Sequence, residues 1–106
     1  MINVKNLSPS EFKQGFETDP DAVLIDVRTP EENNEKRLPN SINLDIYAPD
    51  FQAEILKLDR LKSYYLYCRS GSRSFHAGLF MSQNGFKKIY NLDCGILGWK
   101  YETEKN

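Results

Sequence analysis

Apolar positions along this chain gather in short clusters separated by polar turns, and the clusters follow two different spacings. Ala22 to Ile25 and Tyr64 to Tyr67 are unbroken apolar or aromatic runs, the pattern of strands buried on both faces of a parallel sheet. Ile2-Asn3-Val4, Ser41 to Leu44 and Lys88 to Leu92 read as three further short strands. Between them the apolar spacing is helical: Phe12 with Phe16, then Phe51, Ile55 and Leu58, then Ala77, Leu79, Phe80 and Met81 within a helix expected over 74–84. Ser8-Pro9 with Glu11, and Thr29-Pro30 with Glu32, are capping-box helix starts, and Pro49-Asp50 marks a third start. Asn84-Gly85 is a left-handed helix end, and Gly95 to Trp99 forms a short closing helical turn. Strand alternating with helix predicts an α/β fold: a central, mainly parallel sheet of about five strands flanked by helices on both faces. One domain spans residues 1–106, with 101–106 expected to be a frayed polar tail.

Composition narrows the function classes. With 40% apolar and 27% charged residues, the chain has the makeup of an ordinary soluble domain. A net charge of -1 argues against a nucleic-acid partner, which calls for a basic face. No apolar run approaches the ~20 residues of a membrane span, so no membrane partner is expected. The opening MINVKNLSPSEF has no apolar signal core, which makes the cytoplasm the expected compartment. Two cysteines and one histidine at unmatched spacing build neither a disulfide framework nor a metal site, and no cofactor is expected.

The candidate chemistry lies in Tyr65-Leu66-Tyr67-Cys68-Arg69-Ser70-Gly71-Ser72-Arg73-Ser74. A greasy strand ends in a thiol, followed by two arginines, serines and a glycine with no acid among them. Only the thiolate is a nucleophile, and a free cysteine has a pKa of about 8.5. Lowering it by two units takes about 2.7 kcal/mol of preferential anion stabilisation. A helix N-terminus can give up to ~2 kcal/mol, and a charge-assisted N–H bond roughly 1.5–3 kcal/mol. Gly71 allows the positive φ that a curled loop needs, and successive amides in such a loop form an anion nest. Arg73 is placed to hold an anionic substrate bidentately. A strand-end cysteine is by itself commonly a small buried hydrophobe, but that reading leaves the RSGSRS run unexplained.

Taken together, LIDVRTPEE at 24–32, YCRSGSRS at 67–74 and NLDCGILGW at 91–99 resemble the rhodanese family of thiosulfate sulfurtransferases, across about residues 3–101. The resemblance implies that Cys68 takes the outer sulfur of a small anionic donor as a persulfide and passes it to cyanide or to a low-molecular-weight or protein thiol. It implies that the amides of Arg69, Ser70, Gly71, Ser72 and Arg73 hold the sulfur, with Arg69 and Arg73 as anion binders. Asp26 and Arg28 match the family's DVR, a scaffold element beside the site.

Two departures stand out. Where the family commonly carries Gly-His-Ile-Pro-Gly-Ala, this chain has Lys36-Arg37-Leu38-Pro39-Asn40-Ser41, so the turn is expected to persist with altered detail. Where the family has a double glycine, this chain has Cys94-Gly95. Cys94 reads first as a small residue filling a tight place, and second as a thiol that resolves the Cys68 persulfide. His76 reads as a solvent-facing or capping side chain, the tyrosines as strand packing, and Glu31, Glu32 and Glu35 as a solvated helix face. The competing functions are a non-catalytic rhodanese-like binding module and a cysteine-loop phosphatase or arsenate reductase. The latter use five residues between cysteine and arginine; four separate Cys68 from Arg73.

Overall fold

Five parallel strands form one sheet in the order β1-β5-β4-β2-β3 in the computed structural model, which describes residues 2–105. They are β1 Val4–Leu7, β2 Val23–Asp26, β3 Ile42–Asn43, β4 Ser63–Tyr67 and β5 Lys88–Leu92. The helices are α1 Pro9–Thr18, α2 Pro30–Glu35, α3 Phe51–Leu56 and α4 Ser72–Gln83, followed by a 3-10 turn at Ile96–Gly98. The α/β expectation holds, and β4 is the central strand, buried along its whole length.

Side-chain alternation on β4 divides the core in two. Tyr64, Leu66 and Cys68 point into a cluster with Ile25, Phe51, Ile55, Ala77, Met81 and Phe86, beneath α3 and α4. Tyr65 and Tyr67 point the other way, to Leu7, Phe12, Leu24, Leu38, Leu92 and Trp99, beneath α1. Phe12 and Phe16 share that face as expected, stacking edge-on with each other and with Tyr65.

Both capping boxes form. Ser8 and Glu11 exchange bonds at the start of α1, and Thr29 and Glu32 do so at α2. Gly85, at φ 90°, supplies the left-handed end after α4.

Several boundaries move. β1 starts at Val4 rather than Ile2, because Val4 to Leu7 is the stretch in register with Ile89 to Leu92 of β5. An edge strand needs only one buried face, so it carries Lys5 and Asn6. α3 stops at Leu56 because Lys57 and Leu58 close i→i−3 bonds that tighten the chain into a turn, though Leu58 still packs on the core. The altered 36–41 segment keeps its turn: Leu38 is fully buried, and Asn40 adopts φ 67° where the family pattern has glycine. Asparagine is among the few side chains that tolerate that region. The tail is not frayed as far as Glu104. Glu104 and Arg37 exchange backbone bonds of 2.9 and 2.8 Å, and the Trp99 indole donates to the Glu102 carbonyl.

Candidate active site

The site is assembled at the carboxyl end of β4. Register places Asp26 beside Tyr67, and the Val27 amide donates to the Tyr67 carbonyl, so β2 fixes the point where the thiol leaves the sheet. Asp26 is fully buried and accepts from the Arg28 amide (2.9 Å), Arg28 Nε (2.9 Å) and Nη2 (2.7 Å), Asn33 Nδ2 (2.9 Å) and the Tyr67 hydroxyl (3.1 Å). Arg28 Nη2 also donates to the Lys36 carbonyl, and Tyr67 accepts from the Leu38 amide. Burial first, and then the Asp26 charge, push the Tyr67 hydroxyl up to about 12, so it remains a donor. This pair, with Tyr67, ties β2, α2, the 36–38 turn and β4 together.

The loop from Arg69 to Gly71 curls under the thiol. Gly71 has φ 100°, and a Cβ there would collide with the Asp93 carbonyl. Gly95, at φ 65°, lies against the Arg69 carbonyl with the same lack of room. Ile96 donates to the Cys68 carbonyl and Leu97 to the Arg69 carbonyl, so the 3-10 turn braces the loop from outside. α4 begins at Ser72 rather than Ser74, because Gly71 in the left-handed region serves as N-cap. No side chain caps this helix; the Gly71 amide instead donates to Cys68 Sγ at 3.1 Å.

Cys68 is only 1% exposed. Burial pushes its thiol up, but bonds from the Ser74 hydroxyl and from the Ser74, Gly71 and Ser70 amides outweigh it, and the net shift is downward. Of the loop amides, that of Gly71 donates directly to the sulfur. Ser72 is exposed, and its carbonyl faces His76 Nδ1 at 2.9 Å; His76 itself is exposed.

The two arginines differ. Arg69 is exposed and, among the described residues, forms no ion pair. Both terminal nitrogens of Arg73 bond Glu32, at 2.8 and 3.0 Å. Glu32 is correspondingly not a solvated residue, whereas Glu31 and Glu35 are exposed. The Arg73 bond, opposed by burial, holds the Glu32 carboxyl at about 2. A depressed carboxyl stabilises the fold above its ordinary range near 4.3, and that contribution is lost as pH falls toward about 2. Glu32→Gln should therefore lower the denaturant midpoint near neutral pH, with the gap from wild type closing near pH 2. A gap of equal size at both pH values would contradict the pairing.

Cys94 is half-buried and packs with the α1-side cluster, whereas Cys68 belongs to the α4-side cluster. Both thiols are free and their side chains lie on opposite faces of the sheet. Cys94 Sγ fills the space against Gly98, in keeping with the reading of a small residue in a tight place. Two clefts of about 340 Å3 flank the structure. The one bordered by Ser70, Gly71, His76 and Asn91 adjoins the loop; the other, between Phe16, Leu24 and Trp99, contains none of it. The thiol rather than concavity locates the site.

Sequence reasoning assigned no role to Ser74 or Asn91, which are both buried against the loop. The available signal was a polar residue at a core position of the strand Lys88–Leu92. Among the described residues no cluster of three or more metal-ligating side chains forms, and no helix is long and apolar enough to cross a membrane.

The comparisons agree with this architecture. The family pattern of the rhodanese-like domain matches residues 8–102, and the chain belongs to that family. YtwF of Bacillus subtilis (strain 168), a candidate sulfurtransferase by its name, is 33% identical over 103 residues, covering 97% of each chain. A sulfurtransferase of Allochromatium vinosum is 29% identical over 91% of this chain and 88% of its own length. A tRNA uridine(34) hydroxylase of Cytophaga hutchinsonii is 36% identical over 95% of this chain, which spans only 32% of that protein. Among solved structures, a rhodanese-related protein from Thermoplasma volcanium superposes with a TM-score of 0.82 at 26% identity, over 96% of this chain and 99% of that one. Family and relatives support sulfur transfer as the general chemistry.

Proposed function

We propose that this chain is a sulfurtransferase in which Cys68 carries sulfane sulfur as a persulfide between a small anionic donor, such as thiosulfate or a polysulfide, and a thiophilic acceptor, cyanide or a thiol. The observation that carries this reading is a buried thiol that accepts the Gly71 amide at 3.1 Å, has the Ser74 hydroxyl within reach at 3.4 Å, and is shifted downward in pKa by these donors despite its burial. With thiosulfate, the Cys68 thiolate attacks the outer sulfur; a new S–S bond forms, the donor S–S bond breaks, and sulfite leaves with the electron pair. In the second step the acceptor attacks that outer sulfur and Cys68 departs as thiolate. Charge balances in both steps, and no further oxidant is needed.

The geometry also supports sulfur over phosphate. Arg73, which a phosphatase would need for its oxyanion, is occupied by Glu32. The loop is packed closely, since a Cβ at Gly71 or Gly95 would collide with the Asp93 or Arg69 carbonyl. Arg69 is left as the cation that greets the donor. Tyr47 and Leu97 are 69% and 65% exposed; Leu97 bonds the Arg69 carbonyl and Tyr47 stacks toward Arg73, an apolar rim suited to an acceptor thiol carried by a protein. Steady-state kinetics with varied donor and acceptor should give parallel double-reciprocal lines, as one enzyme form shared between two half-reactions requires. Intersecting lines would reject the persulfide intermediate in favour of direct transfer.

A further inference from the structure

Ser74 has one hydroxyl proton and three acceptors within reach. They are Asn91 Oδ1 at 2.5 Å, the Gly71 carbonyl at 3.3 Å and Cys68 Sγ at 3.4 Å. The orientation of the Asn91 amide is fixed by its other end. Its Nδ2 donates to the Gly71 carbonyl at 3.1 Å and to Asn6 Oδ1 at 3.0 Å, and a carbonyl can face only the amino side of an amide. Its oxygen therefore faces Ser74, and both residues are buried, at 2% and 0% exposure, so water does not supply an alternative partner.

We propose that Asn91 is a positioning residue for Cys68: it accepts the Ser74 hydroxyl when the sulfur bears no charge and gives that hydroxyl up when the sulfur is a thiolate. The short bond to Asn91 is the arrangement for the neutral thiol and for the persulfide, whose charge sits on the outer sulfur. When an acceptor removes that outer sulfur, the inner sulfur leaves as an anion, and a charge-assisted bond from Ser74 is then worth more than the neutral one to Asn91. Rotation of one hydroxyl thus follows each half-reaction, and Asn91 sets how readily it turns. The proposal rests on the reading above only in taking Cys68 as the working thiol.

Other ionisable and charged groups on the elements around the thiol set the background. They are Arg69 in the loop, Arg73 and His76 on α4, and Glu32 on α2. Asp26, Arg28 and Tyr67 lie at the strand ends, Asp45 and Tyr47 precede α3, Glu54 and Lys57 lie at α3, and Asp93 follows β5. None of these hydrogen-bonds Ser74 Oγ or the Asn91 side chain.

The test reads the thiol directly, independent of sulfur transfer. In a Cys94→Ser background, the rate of iodoacetamide alkylation of Cys68 is measured against pH. Asn91→Leu frees Ser74 for the thiolate and should raise alkylation below neutral pH by about 3- to 10-fold, as a hydrogen bond to a charged group is worth more than a neutral one. Ser74→Ala should lower it. In the double variant Asn91→Leu should bring no acceleration, because the hydroxyl it releases is gone. If Asn91→Leu accelerates alkylation equally with and without Ser74, or slows it in both, Asn91 acts only by holding the Gly71 carbonyl and the proposal fails. Asn91→Ala makes the same release with less bulk and stands in if the leucine variant lacks a cooperative melt.

Discussion

Cys68→Ser is expected to reduce thiosulfate-to-cyanide transfer by at least about 1000-fold while leaving the melting curve nearly unchanged. The hydroxyl has almost no anionic form near neutral pH and forms no stable analogue of a persulfide. The site offers no substitute: Cys94 packs in the opposite core, and His76 faces solvent with its Nδ1 against the Ser72 carbonyl. The loop should survive the change, since it is held by Gly71 against Asp93, by the 3-10 turn and by Asn91, none of which requires sulfur. Transfer activity in the variant within tenfold of wild type would place the chemistry elsewhere.

Asp26→Ala is expected to have the largest effect on stability, about 3–5 kcal/mol, because it leaves the buried Arg28 guanidinium without its counter-charge. Four donor groups lose an acceptor together: the Arg28 amide and side chain, Asn33 and Tyr67. Against a total stability of ~5–15 kcal/mol for a typical domain, that loss is a large fraction of the whole. Urea unfolding gives the number directly. A loss under about 1 kcal/mol would show that the Asp26–Arg28 pair is an ornament on the end of β2 rather than the tie between β2, α2 and β4.

Local chemistry made much of this readable from the residues. Ser8 and Thr29 cap the helices their motifs announced, and Lys88 to Leu92 is a strand with the bounds its pattern suggested. The position of the thiol followed from Tyr64 to Tyr67 reading as a doubly buried strand. What escaped depends on residues far apart in the chain. Glu32 and Arg73 are 41 positions apart, so Glu32 looked like a solvated acid and Arg73 like a free cation. Ser74 and Asn91 are 17 apart, and only the β4–β5 pairing brings the asparagine under the loop. β1 took its bounds from its register with β5, and the tail was held by Arg37, 67 residues upstream of Glu104. Long-range partners of polar side chains, rather than apolar periodicity, account for nearly all that sequence did not disclose.

The central claim is that Cys68 carries the transferred sulfur. Intact-mass spectrometry of the protein after incubation with thiosulfate, followed by peptide mapping, tests it most directly. The account predicts a gain of one sulfur atom, located on the peptide containing Cys68, removed by cyanide and missing in Cys68→Ser. An unchanged mass, or a sulfur located on Cys94, would contradict it.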